Sequence, residues 1–118
     1  MTKKGRAEPP RYRVWLRPSV HQARRQLPGN VRHRIRRFLD VLAHEPRPAG
    51  SRELRLPDTA PSEILREWEV RRFQLDEWRV VYAINDTWGE LGVLRVAKRP
   101  PYRYEDLAEL LEDLAETE

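Results

Sequence analysis

The sequence has 118 residues, of which 36% are charged and 39% are hydrophobic, and it contains no cysteine. This composition indicates one polar globular domain and excludes both a disulfide framework and a thiolate metal site. No apolar run approaches the ~18–20 residues of a membrane-spanning helix, and the basic N-terminus lacks the apolar region of a signal peptide. We therefore expect a cytoplasmic protein that makes no membrane contact.

Positive charge is concentrated in the first 103 residues. The chain has 23 Lys and Arg against 19 Asp and Glu, but seven of the acids and none of the bases lie between residues 104 and 118. The rest of the chain therefore carries 12 acids against 23 bases. Such an excess attracts phosphate backbones, because binding releases their condensed counterions. The charge pattern favours a polyanionic ligand, with RNA as the leading candidate.

The first half of the chain predicts a strand followed by a helical hairpin. Residues 1–10 are polar and are expected to form a disordered tail. Residues 11–17 alternate between apolar and basic side chains, which predicts a strand with one face in the core. Pro18 and Ser19 are good residues to begin a helix, and the sequence Pro-Gly-Asn at 28–30 interrupts it. A second helix is predicted to end near Glu45, because apolar residues recur there at helical spacing.

The second half predicts an antiparallel meander and a last helix. After a loop at 46–63 with a short extended piece near Glu53, strands are expected at 64–73, 78–84 and 91–97, joined by turns at 74–77 and 85–89. Residues 104–115 have the apolar spacing of an amphipathic helix. The predicted class is α+β, with helices on one face of a small antiparallel sheet. We expect residues 11–104 to form the main domain and the acidic helix of 105–118 to pack on it.

Five short motifs, in this order, resemble the RelE/ParE toxin superfamily and specifically its RelE-like mRNA interferase branch. They are Glu-Leu at 53–54, Trp-Glu-Val-Arg at 68–71, Trp-Arg-Val-Val-Tyr at 78–82, Val-Ala-Lys-Arg at 96–99, and Tyr104. The resemblance spans residues 12–104. It implies a toxin that cleaves mRNA on the ribosome and is silenced by a cognate antitoxin, with operator DNA bound only by the toxin–antitoxin complex.

Metal-free RNA cleavage needs a base for the 2′-hydroxyl, cations for the phosphorane and an acid for the leaving 5′-oxygen. The resemblance places Arg79 on the scissile phosphate and Arg99 near it. It also implies that Tyr104 stacks on a base or assists proton transfer, a role for which Tyr102 competes. Arg103 stands where one branch of the family has a histidine.

Which side of the strand after Trp68 faces the helices decides which further residues lie on the same face as Arg79. If Val70 faces the helices, Glu69 and Arg71 share the open face with Arg79. A shift of one residue would replace Arg71 by Arg72, which we therefore include in the RNA-binding set with Arg103, Tyr102 and Glu53.

The general base is the least determined part of this site. Arginine stays protonated in proteins, so the candidates are Lys98, whose pKa nearby arginines would lower, and the carboxylates of Glu69 and Glu53. We expect neither a metal nor a cofactor, because no His-Asp-Glu cluster has ligand spacing. Two other functions stay open: a ParE-like inhibitor of DNA gyrase, and a catalytically degenerate relative that only binds nucleic acid or an antitoxin.

Overall fold

A computed structural model describes residues 11–56 and 62–98, except for the side chains of residues 63–65. The predicted tail at 1–10 and the predicted helix at 105–118 lie outside the described residues. In chain order the elements are β1 (Arg13–Leu16), α1 (Pro18–Arg25), α2 (Gly29–His44), β2 (Arg52–Glu53), α3 (Ser62–Glu67), β3 (Glu69–Leu75), β4 (Trp78–Asn85) and β5 (Glu90–Lys98). The α+β class is confirmed.

The helical hairpin forms where the sequence predicts it. Pro18 occupies the first turn of α1, where its missing N–H costs no intrahelical hydrogen bond. Pro28 precedes α2, and the buried residues of α2 are Ile35, Phe38, Leu42 and Ala43. Their spacing places them on one stripe, which packs on the sheet.

The sheet has the strand order β1-β5-β4-β3-β2. The strands β2 to β5 pair antiparallel, as the predicted meander requires. The first strand differs, because β1 pairs parallel to β5, with Val14 opposite Leu91. The long intervening chain allows this pairing, since parallel neighbours need a crossover connection of a dozen residues or more.

The prediction that a strand begins at residue 64 is wrong. Residues 62–67 form the short helix α3, and the strand β3 starts only at Glu69. Ser62 is a good residue at a helix start, and Leu, Arg and Glu are strong helix formers. These local preferences prevail over the apolar alternation that suggested a strand. Among the described residues, no helix is both long and apolar enough to cross a membrane.

Both faces of the sheet bury apolar side chains. Val80, Tyr82 and Ile84 of β4 contact the helical hairpin, and we call this side the helix-covered face. Val81 and Ala83 lie on the other side, which we call the second face, where they join a cluster with Trp68, Val70 and Leu94.

Trp15 extends the second face onto β1. It lies opposite Gly92, and its ring packs edge-on against Trp68 with 6.5 Å between ring centroids. The strands therefore have no purely solvated side, and this determines where the functional side chains lie.

Candidate nucleic-acid interface

The register of β3 against β4 assigns each residue of β3 to a face. Arg71 lies opposite Tyr82, which is on the helix-covered face, whereas Arg72 lies opposite Val81 on the second face. Arg79 pairs with Gln74 and so shares the second face with Arg72. The prediction that Arg71 and Glu69 share a face with Arg79 is therefore wrong. It assumed that Val70 faces the helices, but Val70 packs in the cluster of the second face.

Arg71 and Glu69 instead belong to a hydrogen-bonded network at the edge of the helix-covered face. The Nη1 of Arg71 donates to Oε2 of Glu69 at 2.5 Å, and its Nε donates to the hydroxyl of Ser51 at 3.0 Å. The side chain of Arg71 is only 15% exposed. Arg47 approaches Glu69 from the other side, with its Nη2 2.7 Å from Oε1. These contacts fasten the chain between α2 and β2 to the sheet.

The network continues to the turn between β4 and β5. Arg47 also donates to Oδ2 of Asp86 at 2.9 Å, and the hydroxyl of Tyr12 donates to Oδ1 at 2.6 Å. Hydrogen bonds from Tyr12 and Arg47 lower the pKa of Asp86. Partial burial by itself raises the pKa of Glu69, but the hydrogen bonds from Arg47 and Arg71 outweigh it and lower that pKa. The charges here are mutually satisfied, which is typical of a structural network.

The other candidate bases also lie away from Arg79. Lys98 is opposite Trp78, at the end of the helix-covered face, and its Nζ lies 3.4 Å from Oε1 of Glu77. Glu53 is opposite Arg71. On the second face, the one carboxylate among the described strand residues is Glu90, which pairs with Arg13 at 3.0 Å. The described sheet therefore brings cations, and no predicted base, to the side of Arg79.

Five arginines of the described strands lie on the second face. Arg13 of β1 is paired with Glu90, and the other four come one from each of the strands β2 to β5. Arg52 of β2 is opposite Arg72 of β3, Arg72 is opposite Val81, and Val81 is opposite Arg95 of β5. Arg52, Arg72 and Arg95 thus form one row that crosses the strands, which we call the arginine row. Arg79 lies in the adjacent row, between Gln74 and Ala97.

A β-bulge explains why Arg95 reaches this face. The register between β4 and β5 shifts between Val81 and Tyr82, so that one residue is inserted before Arg95. Leu94 and Arg95 then both lie on the side of Val81, because a bulge sets two residues against one and re-aims the side chains. The sequence alone gives no signal for this insertion, and Arg95 was missed for that reason. Arg52 was missed because its place depends on the pairing of β2 with β3.

No family model and no curated protein matches the sequence. Solved structures do match. A chain of the archaeal RelE–RelB complex from Pyrococcus horikoshii OT3 is 24% identical with a TM-score of 0.65, over 78% of this chain and 99% of that chain. The isolated RelE toxin of Escherichia coli is 19% identical with a TM-score of 0.59, over 87% of this chain and 98% of that chain. The chain has the RelE fold.

A third RelE-type structure gives the same result. A chain of the RelBE2 toxin–antitoxin complex from Mycobacterium tuberculosis is 22% identical with a TM-score of 0.58, over 76% of this chain and 99% of that chain. At these identities the similarity concerns the fold. It does not by itself assign a role to any individual residue of this chain.

Four predicted site residues of this RelE-like chain lie outside the described residues: Arg99, Tyr102, Arg103 and Tyr104. They follow β5, which ends at Lys98. Of the six described ones, Arg72 and Arg79 come together on the second face, and the other four lie on the helix-covered side. A guanidinium matches two phosphate oxygens at once, so the second face is suited to holding a phosphate backbone.

Proposed function

We propose that this chain is the toxin of a type II toxin–antitoxin system and inhibits translation as a metal-independent endoribonuclease that cleaves ribosome-bound mRNA. The observation that carries the proposal is the set of arginines on the second face of a RelE fold. It includes Arg79 from the motif Trp-Arg-Val-Val-Tyr and its neighbour Arg72. On this surface the one carboxylate of the described strand residues, Glu90, is paired with Arg13. A surface that presents several guanidinium groups is suited to a phosphodiester substrate.

The proposed chemistry is an attack of the 2′-hydroxyl oxygen on the adjacent phosphorus. The bond from phosphorus to the 5′-oxygen breaks, which leaves a 2′,3′-cyclic phosphate and a 5′-hydroxyl end. Negative charge builds on the phosphoryl oxygens during this step, and fixed cations stabilise it without reorganisation. We assign this role to Arg79, with Arg72 as the second cation and Arg99 as a third.

None of the predicted proton acceptors of the described sheet lies beside Arg79 in a position to act. Arginine is a poor proton acceptor because it stays charged. Lys98 and Glu53 lie on the other side, and Glu69 is engaged by Arg47 and Arg71. We therefore assign proton transfer to the segment after β5, with Tyr104 as the candidate, or to groups of the ribosome around the bound mRNA.

An antitoxin partner is part of the same proposal. Two of the similar structures are a RelE–RelB complex and a RelBE2 toxin–antitoxin complex. We infer that a small protein encoded next to this chain binds it in the cytoplasm and silences it. Operator DNA would be bound only by that complex.

Induction of the chain with and without its small neighbour gene tests the proposal. The 5′ ends of mRNA on purified ribosomes are mapped after induction, and the products are examined for 5′-hydroxyl ends. Codon-positioned cuts that vanish when the neighbour is co-expressed are the expected result. Growth arrest without such cuts contradicts the nuclease and points to gyrase, which a supercoiling assay then checks.

A further inference from the structure

We infer that the RNA strand crosses the second face at right angles to the β-strands, along the arginine row of Arg52, Arg72 and Arg95. The inference adds two binding residues, Arg52 and Arg95, to those of the predicted site. It rests on the proposed function for the identity of the substrate, although the binding surface itself needs no catalysis.

The strongest observation is the direct pairing of two like charges. Arg52 and Arg72 are Cα partners in an antiparallel pair, so their Cβ atoms are about 4.5–5.5 Å apart. Like charges at such positions destabilise a sheet. Among the described residues, neither guanidinium has an ion-pair partner, and Arg52 is exposed. An anion between the two side chains would remove the repulsion, and a backbone phosphate has the charge and oxygen geometry to do so.

The arginine row has the length and direction of a path for a single nucleic-acid strand. It runs from the edge strand β2 across β3 and β4 to β5, which is three strand spacings or about 14 Å. A nucleic-acid strand that advances at least ~3.4 Å per nucleotide would place up to about four phosphates on it. Arg79 lies beside the middle of the row, so a phosphate held by Arg72 is next to the residue assigned to the scissile group.

The face also favours a nucleic-acid strand over an acidic peptide. The Trp15–Trp68 pair and the other buried apolar residues of this face pack on one another. Arginine clusters also bind acidic and phosphorylated peptides, but a nucleic-acid strand carries one phosphate per nucleotide, at a regular spacing that a row of cations can follow. Spaced cations are the feature by which single-strand-binding surfaces follow a phosphate backbone.

Binding of an uncleavable RNA to the full chain tests this path. The probe is a single-stranded RNA with 2′-deoxy nucleotides at the cleavage positions, which removes the attacking hydroxyl. Each phosphate contact that is lost should reduce the slope of log K against log[salt] by ~0.7. We expect that reduction and a several-fold weaker affinity for Arg52→Gln, and about twice the slope change for Arg52→Gln combined with Arg95→Gln.

Arg55→Gln is the matched control, because Arg55 is exposed and lies three residues after Arg52 but outside the row. An unchanged slope in this control, with the reduced slope in Arg52→Gln, supports the path. Equal losses in both variants would mean diffuse attraction and would overturn it. An unchanged Arg52→Gln would likewise overturn it, as would a variant that loses antitoxin affinity and keeps RNA affinity.

Failure of the proposed function is recognised separately. If the wild type makes no cuts on ribosomes but its RNA binding depends on Arg52, the nuclease is wrong and the path stands. If the wild type cuts mRNA and Arg52→Gln binds RNA with an unchanged salt slope, the nuclease stands and the path is wrong.

Discussion

Arg71 and Arg72 are adjacent in the chain, but their side chains lie on opposite faces of the sheet. Arg71 is opposite Tyr82 and donates to Glu69 and Ser51, whereas Arg72 is opposite Val81, beside Arg79. Two neighbouring residues of the same type are thus placed in a structural network and in a candidate RNA-binding surface. The difference makes them a matched pair for mutagenesis.

Replacement of Arg71 by alanine should destabilise the fold. It removes the charged hydrogen bond to Glu69 and leaves two oxygens of Ser51 without this donor. A buried polar group that loses its partner typically costs about 1–3 kcal/mol. Urea unfolding monitored by circular dichroism should show a lower midpoint with an unchanged m-value.

Arg72→Ala is the control for Arg71→Ala, because it removes the same charge from the same strand. We expect its free energy of unfolding to stay within about 0.5 kcal/mol of the wild-type value, while its RNA cleavage falls. Full activity in Arg72→Ala together with lost activity in a stable Arg71→Ala would mean that the two roles are exchanged.

Arg79→Ala should abolish toxicity and leave antitoxin binding intact. The loss of one donor that stabilises developing charge typically lowers the rate by about 10²–10³-fold. Growth after induction and mapping of mRNA 5′ ends measure the activity, and co-purification with the antitoxin measures the fold and the binding. Undiminished toxicity in this variant would remove Arg79 from the site.

The sequence predicts the helices and strands of this fold better than it predicts the face of the sheet on which each side chain lies. The alternation at 11–17, the break at 28–30 and the turn before Glu90 each have a local chemical cause, and the structure confirms them. No local pattern of this kind determines which residues of β3 lie on the helix-covered face and which on the second face. Apolar residues are buried on both sides of the sheet, so the alternation at Val70 does not say which side the helices cover.

The candidate site was predicted only in part for the same reason. Arg79 was found through its motif, whereas the choice between Arg71 and Arg72 depended on a face that a single strand cannot determine. Arg95 depends on a bulge, and Arg52 on pairing between segments that lie twenty residues apart. These are tertiary relationships, which local patterns do not encode.

Stability should fall at acid pH because of Glu69 and Asp86. Both carboxyls have a pKa below the ordinary value in the folded chain. They therefore contribute stability above the unfolded-state pKa values of about 4.3 for Glu and 3.9 for Asp, and this stability is lost as the pH falls through the folded values. The free energy of unfolding, measured between pH 7 and pH 3, should decrease most steeply below about pH 4.5.

Glu69→Gln tests whether Glu69 causes this loss of stability at acid pH. The variant should be less stable than the wild type at pH 7, and its stability should change less between pH 5 and pH 3. Glu77→Gln is a suitable control, since the Glu77 side chain is 71% exposed and its contact to Lys98 is long. If the stability of Glu69→Gln fell between pH 5 and pH 3 as much as that of the wild type, other carboxylates would cause the pH dependence.

Gly92→Ala should destabilise the chain although the change adds only one methyl group. A Cβ at Gly92 would clash with the ring of Trp15, which lies directly across on β1. Trp15 cannot retreat freely because its ring packs edge-on against Trp68. Overpacking of this kind typically costs about 1–3 kcal/mol. Gly29→Ala provides the comparison, because a Cβ there has only the end of the Arg32 side chain near it, at 3.8 Å.

The loss of stability expected for Gly92→Ala should not occur in Gly29→Ala. Gly29 is the first residue of α2, and alanine is the better helix former by up to about 1 kcal/mol, so Gly29→Ala should be neutral or stabilising. Gly92→Ala combined with Trp15→Leu should lose less stability than the sum of the single changes, because the smaller side chain relieves the clash. Strict additivity in this double-mutant cycle, measured by urea unfolding, would show that Trp15 does not lie over Gly92.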